Sequence, residues 1–554
     1  MRPTEPATEW WRHAVVYQVY IRSFADGDGD SVGDLTGLRQ RLPYLRDLGV
    51  DAIWITPWYP SPMADGGYDI ADYRDIDPLF GTLADADRLL GEAHELGVRV
   101  LIDLVPNHTS DRHPWFLAAL RDGPGSEARA RYHFGDGRGP DGGEPPNNWP
   151  SVFGGPAWLR VTEPDGTPGQ WYLHVFAPEQ PDLNWSNPAV RREFEAILDF
   201  WLDRGVDGFR IDVAHAMVKA DGLPDLEAEH LEGEPVPPGK HPHWDRPEVH
   251  AIHRSWRRVV DRHSGNRILI GEVGVHDQRR LVDYLRPDEL HAAFNFPFMG
   301  APWEARALRT VIDETLAAHA KVGATPTWVL ANHDATRQVT RLGRPHSGIR
   351  RRDLDDTQPS DLALGTRRSR AAILLALALP GCAYLYQGEE LGLWEVEDLP
   401  DELLQDPIWE RSGHAIRGRD GCRVPLPWAG STAPFGFGPA GSVPWLPQPA
   451  RWRDYTAETE ARDPGSMLSL YRAALRLRRQ QRGFRTDDFR WLPGAVGTLY
   501  FARGDVLCAV NLSGAPMGLP SDREPLLSSV DLEGDTLPAD AAAWFRAGSG
   551  AAGP

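Results

Sequence analysis

Asp207–His215, DGFRIDVAH, is the stretch on which the reading of this chain turns. It opens as a short apolar run, Gly208-Phe209-Arg210-Ile211, and ends in a carboxylate two residues after an arginine. In a strand, residues two apart share a face, so Arg210 and Asp212 are predicted to point the same way. A guanidinium beside a carboxylate lowers its pKa and favours the ionised form that a carboxylate nucleophile needs. Alone, such a pair would be read as a structural ion pair at a strand end. The rest of the chain favours the chemical reading.

Working outward, the same pattern recurs. Short β-branched or aromatic runs are predicted as strands at Val15–Ser23, Ala52–Ile55, Val98–Val105, Gly208–Val213, Ile268–Val273, Ala292–Phe296, Thr327–Ala331 and Ala383–Gln387. Helix-like segments such as Leu35–Leu48, Leu83–Leu96, Ala189–Arg204 and Trp303–Ala320 alternate with them. Eight strands alternating with helices predict a parallel sheet closed as a (β/α)8 TIM barrel, with its chemistry at the C-terminal strand ends. About 80 residues separate the third strand from the next helix, too many for a structureless loop, so a small inserted domain is expected there. The expected organisation is barrel, 1–106; insert, 107–186; barrel again, 187–482; and a C-terminal all-β domain, 483–554. Long excursions are also expected at Lys219–Arg246 and after Glu389, on the face that carries the strand ends.

The strand ends hold candidate chemistry. The third ends in DLVPNHTS, giving Asp103, Asn107 and His108; the fifth in IGEV, giving Glu272; the seventh in VLANHDATR, giving His333, Asp334 and Arg337. Burial after an apolar run should raise the pKa of Glu272 and suit it to acid/base work. A nucleophile, an acid/base and a further carboxylate are what a retaining glycosidase requires. In the loop after the first strand, DGDGDSVGD, the spacing lets Asp26, Asp28, Asp30 and Asp34 converge with the Val32 carbonyl on a hard cation, Ca2+ or Mg2+.

With these segments in order along nearly the whole chain, the sequence resembles the α-amylase superfamily, glycoside hydrolase family 13. The resemblance implies Asp212 as nucleophile, Glu272 as acid/base and Asp334 as transition-state stabiliser, with Arg210, His108 and His333 around the bound glucosyl ring. The segment MADGGYDIADY is similar to that of exo-acting α-glucosidases and oligo-1,6-glucosidases, implying that Asp65 and Tyr68 close the end of a glucose pocket. QPDLNW, Gln180–Trp185, has the α-glucosidase form of a family signature. GRDGCRVPLPW implies a sugar contact for its second arginine, Arg423. The family's glucosidases often hold a structural metal in the first-strand loop. Val213 resembles members that accept α-1,6 links, and His215 is assigned a role at the leaving-group subsite.

Bulk composition agrees with a small neutral ligand. The chain has 554 residues with 59 Lys plus Arg against 79 Asp plus Glu, a net charge of −20, which argues against nucleic acid or anionic membrane as partner. Three cysteines far apart indicate neither a disulfide framework nor a zinc site. The N-terminus lacks the pattern of a signal peptide and no apolar run reaches membrane length, so a cytoplasmic monomer or small homo-oligomer without organic cofactor is expected. The implied activity is hydrolysis of terminal non-reducing α-linked glucose from maltose-sized oligosaccharides or other α-glucosides. The alternatives are an α-glucosyl transferase or isomerase using the same carboxylates, and a non-catalytic binding or transport relative. Retention of all three carboxylates argues against the last.

Overall fold

The computed structural model describes residues 9–231, 236, 239–275, 277–349, 358–519, 524–532 and 534–547. Its central sheet has eight parallel strands: β1 (Val15–Val19), β2 (Ala52–Ile55), β3 (Arg99–Leu104), then, after the inserted strands β4 (Phe134–Gly135), β5 (Trp158–Thr162) and β6 (Pro168–Leu173), β7 (Gly208–Ile211), β8 (Ile268–Gly271), β9 (Ala292–Ala293), β10 (Thr327–Val329) and β11 (Cys382–Tyr386). The order β10-β11-β1-β2-β3-β7-β8-β9 follows the chain around a barrel. Between β9 and β10 the Thr327 hydroxyl donates to the Ala293 carbonyl at 2.6 Å.

Alternation along the strands separates two cores. Val16, Trp54, Leu101, Ile270, Val329 and Tyr384 pack together inside the barrel. Their neighbours Tyr17, Ile53, Ile102, Leu269, Trp328 and Leu385 face the other way, into the large core shared with the surrounding helices. Arg210 lies between Phe209 and Ile211, both members of that outer core, so the pleat turns its guanidinium inward. The fold thus commits a cation to the barrel axis before any ligand is considered.

Apart from β2 and β11, the strands are shorter than their apolar runs. The chain leaves the ladder at Tyr20, whose N–H donates to the Gln387 side chain at 2.8 Å, and a turn over Ile21–Ser23 replaces the rest of the expected first strand. The sixth keeps two residues because Asn295 caps the short helix Phe296–Met299, accepting from the Phe298 N–H at 3.1 Å. Elsewhere caps agree with propensity: Asn187 starts the helix Pro188–Arg204 and Gly205, in the left-handed region, ends it.

The antiparallel sheet β4-β6-β5 of the insert hangs from the end of β3. At the C-terminus, β12 (Phe489–Trp491), β13 (Thr498–Arg503), β14 (Val506–Asn511), β16 (Pro525–Ser528) and β18 (Ala541–Arg546) form an antiparallel sheet, and β15 (Met517–Gly518) pairs β17 (Thr536–Leu537). This unit docks through buried Trp544, whose indole N–H donates to the Leu374 carbonyl at 3.1 Å at the back of helix Leu362–Ala378. No helix among the described residues is long and apolar enough to cross a membrane.

Candidate active site

At the C-terminal mouth of the barrel one guanidinium serves three carboxylates. Arg210 Nη1 donates to Asp103 Oδ1 at 2.8 Å and to Asp212 Oδ1 at 2.6 Å, and its Nη2 lies 2.9 Å from Glu272 Oε2. Asp212 and Glu272 each stand one residue beyond a strand, held by main-chain bonds from Asp212 N to the Leu104 carbonyl and from Glu272 N to the Ile211 carbonyl. Strand alternation therefore does put Arg210 and Asp212 together. The expected pKa effect is reversed, however. Burial pushes the Asp212 carboxyl well above the usual range, Arg210 pulls it back, and the charges of Glu272 and Asp103 push it up again. A single cation divided among three acids cannot offset their desolvation.

Asp103, to which no role was assigned, is the anchor of this cluster. It also accepts from the Trp54 indole at 3.1 Å and the Tyr68 hydroxyl at 3.0 Å, and burial, opposed by Arg210, moves its carboxyl up to about 6. Val213 follows Asp212 at φ 35°, a strained conformation for a β-branched residue, and its N–H donates to Glu272 Oε2 at 3.0 Å.

A second cluster closes the far end of the cavity. Arg419 Nη2 donates to Asp65 Oδ1 at 2.8 Å and Nη1 to Asp334 Oδ1 at 3.0 Å, while its Nε holds buried Asp406. Asp65 sits on a turn in which Gly66 and Gly67 adopt φ 59° and 106°, which explains the glycine pair before Tyr68. Burial raises the Asp334 carboxyl, but His333 and the guanidiniums of Arg419, Arg423 and Arg210 together hold it well below the ordinary carboxylate range. The His333 ring stacks on Tyr68 at 5.3 Å and accepts at Nδ1 from the Gln18 amide at 2.6 Å. Its buried Nε2 lies 3.3 Å from Asp334 Oδ2. His108 donates from Nε2 to the Tyr68 carbonyl at 3.1 Å and accepts at Nδ1 from Asn107 at 3.2 Å. Burial keeps both rings neutral.

These side chains enclose about 110 Å³, lined by Asp65, Tyr68, His108, Val152, Phe153, Phe176, Asp212, Val213, Glu272, His333, Asp334 and Arg419. Of the arginines in GRDGCRVPLPW, Arg419 lines the cavity. Arg423 lies behind, 3% exposed, bonded to Asp334 Oδ1 and the His333 carbonyl at 3.0 Å each. Arg419, rather than the Arg423 to which the resemblance gave a sugar contact, is the arginine of this segment that borders the cavity. His215 also lies outside the lining: it is buried, accepts at Nδ1 from Gly274 N at 3.2 Å and stacks on Trp244. The insert reaches the site through Phe153 and Phe176, and is tied to the barrel by buried Lys219, which lies 2.7 Å from Asp182 of QPDLNW and 2.8 Å from Asn107 Oδ1.

A pocket with paired carboxylates at its floor and a guanidinium-braced end is built for a small polyhydroxylated ligand. The sequence from residue 18 to 487 matches the α-amylase catalytic-domain family. The chain belongs to the α-amylase family. Within it the chain is 37% identical to a probable α-glucosidase of Rhizobium meliloti over 94% of this chain and 93% of that one, and 37% identical to an oligo-1,6-glucosidase of Heyndrickxia coagulans over 85% of each. The crystal structure of an α-glucosyl transfer enzyme superposes with a TM-score of 0.82 at 36% identity, covering 97% of this chain and 99% of the other. This family member is accordingly a glycoside hydrolase with a TIM-barrel catalytic domain.

The first-strand loop of this α-amylase-family chain brings three of its four aspartates together. Oxygens of Asp26, Asp28 and Asp34 lie within 4.8 Å of one another, a donor set that fits Ca2+ or Mg2+. Asp30 instead accepts from the Val32 N–H at 2.9 Å, so its carboxylate closes the loop on itself. Asp34 has a second task as N-cap of helix Leu35–Leu48, accepting from Gly37 N at 2.6 Å.

Proposed function

We propose that the protein is a retaining exo-acting α-glucosidase that releases terminal glucose from maltose-sized oligosaccharides or other α-glucosides. The observation that carries this reading is the grip of Arg210 on Asp212 and Glu272 through its two terminal nitrogens, at 2.6 and 2.9 Å. Two carboxylates so closely bracketed favour direct attack over the wider spacing that admits a water between acid and base. Closure of one end by Asp65, Arg419 and Asp334 favours removal of single units from a chain end.

In this reading a glucosyl unit enters between the two clusters. The one proton shared by the two carboxyls resides on Glu272, leaving Asp212 ionised beside Arg210. Asp212 attacks the anomeric carbon as Glu272 gives that proton to the departing oxygen, and the β-glucosyl ester forms. Glu272, now a carboxylate, takes a proton from water, whose oxygen attacks the same carbon and frees Asp212. Configuration is retained. Asp334, kept ionised by its guanidiniums, accepts from sugar hydroxyls as the ring flattens, beside the neutral ring of His333. Asp26, Asp28 and Asp34 would hold a Ca2+ or Mg2+ that braces the first-strand loop.

A second reading, α-glucosyl transfer to a sugar, is favoured by the solved transfer enzyme that shares this architecture at 36% identity. Product analysis separates the two. Glucose alone from maltose at low and high concentration supports the hydrolase, with Asp212→Asn slowed at least about 10³-fold, as for loss of a nucleophile. Trisaccharides or isomeric disaccharides that grow with maltose concentration would replace hydrolysis by transfer. An Asp212→Asn variant with wild-type turnover would overturn both.

A further inference from the structure

The excursion between β7 and β8 carries a tryptophan, Trp244, that contacts both His215 and the cavity-lining Phe176. The Trp244 ring is half-buried and stacks on His215 at 5.1 Å with 24° between planes. His215 in turn bears on the segment carrying the acid/base. Its Nδ1 accepts from Gly274 N, and a side chain at Gly274 would meet its ring at 2.8 Å. On the insert side Trp244 meets Phe176, a cavity-lining residue, edge to face at 6.3 Å. Trp244 thus bridges the insert and the segment that carries Glu272.

The backbone beside it is fixed at both ends. Asp245 adopts φ 50°, donates its N–H to the His215 carbonyl at 2.9 Å, and its carboxylate takes Arg280 at 2.8 and 3.0 Å and the Tyr284 hydroxyl at 2.7 Å. On the other side the His243 ring is buried against Trp149 of the insert at 4.4 Å.

We propose that Trp244, backed by His215, is a platform for the leaving-group ring of the substrate and for an incoming acceptor, and so sets the enzyme's preference among aglycones. Flat aromatic faces stack on the C–H faces of sugars, and a pre-oriented indole does so without an ordering cost. The chemical class it selects is an α-glucoside whose aglycone is itself a ring. This rests on the α-glucosidase reading above.

The test compares maltose with α-D-glucopyranosyl fluoride, whose fluoride leaving group offers nothing to stack. In Trp244→Leu, kcat/KM for maltose is expected to fall about 10-fold or more, the effect of about 1.4 kcal/mol, while that for the fluoride stays within about 2-fold. Methyl α-D-glucopyranoside, which needs the same proton from Glu272 but offers no ring to stack, should likewise stay within about 2-fold. A loss on the methyl glucoside equal to that on maltose would assign Trp244 to placing Glu272 and overturn the proposal. Trp244→Phe, which keeps a planar face, should retain most of the maltose activity. Parallel loss on both substrates would reduce Trp244 to a packing role, and no change on either would remove it from the site; both overturn the proposal. If Trp244→Leu does not fold, Trp244→His carries the same comparison, an intermediate maltose-to-fluoride ratio supporting the platform and a wild-type ratio refuting it. Wild-type enzyme inactive on the fluoride would instead overturn the underlying glucosidase reading.

Discussion

Arg419 holds the end of the pocket, and its substitution separates recognition from mere charge. It binds Asp65 and Asp334 from its two Nη atoms and Asp406 from Nε, an arrangement only a planar fork can make. Arg419→Lys preserves the cation but loses at least one of these bonds, and Arg419→Gln loses the charge as well. Kinetics of glucose release should show kcat/KM falling about 10-fold for the lysine variant and about 100-fold or more for the glutamine variant, from one and two charge-assisted hydrogen bonds. Arg423→Lys, buried behind Asp334, should cost melting temperature before it costs activity. The carboxylates themselves were legible in the sequence because each follows an apolar strand run, and strand ends face the barrel mouth. Arg419 was not, and Asp103 was visible as a strand-end carboxylate but its anchoring role was not, because what defines both is a partner remote in the chain. Arg419 meets Asp65 across 354 residues, and Asp103 meets Arg210 across 107. Spacing rules see only near neighbours. The pKa of Asp212 was misjudged for the same reason: the local arginine was visible, the two other acids sharing it were not.

Elements were legible in kind and order, and helix Leu35–Leu48 and strand Ala52–Ile55 in extent as well, but most barrel strands were not. Eight strands follow from eight apolar runs, yet β9 is two residues long because a side-chain cap at Asn295 starts a helix where the apolar run continues. The first-strand loop is a case in which one residue serves two elements, and that gives a test of the metal. Asp34 caps helix Leu35–Leu48 whatever the loop binds, so Asp34→Ala should cost about 1 kcal/mol of stability even in chelator. Asp28 is exposed and caps no helix, so its substitution acts chiefly through a cation. If the loop holds Ca2+ or Mg2+, chelator should lower the melting temperature of the wild type and leave that of Asp28→Ala unchanged. Equal melting temperatures of the wild type with and without chelator would dismiss the cation and leave the acidic loop as a turn closed by its own main-chain bonds.

The whole molecule buries titratable groups of two kinds, and together they shape its stability against pH. His215 and His319 are brought down by burial to about 4, His253 and His333 to about 3. Unfolding returns each to about 6.5, so their contribution is complete above that pH and drains away as pH falls towards 4. Glu389 and Glu460 are the mirror case. Burial raises both to about 8, the Tyr471 hydroxyl opposing this at Glu389 and the Leu468 N–H at Glu460. Their folded pKa exceeds the unfolded value of about 4.3, so their contribution is complete below that value and is lost as pH rises to about 8. Between pH 6.5 and 8 only the carboxyls of this set change, so the melting temperature should peak near pH 6 to 6.5 and decline on the alkaline side. Glu389→Gln leaves a carbonyl oxygen for the Tyr471 hydroxyl, bonded to Glu389 at 2.8 Å, while removing the ionisation. Combined with Glu460→Gln it should make the alkaline limb measured by calorimetry shallower, the remainder belonging to Asp69 and Glu395, which burial raises to about 7. The acid limb, which belongs to the histidines, should stay as in the wild type. An alkaline decline that persists undiminished in the double variant would show that these two carboxyls are already ionised in the folded protein at neutral pH.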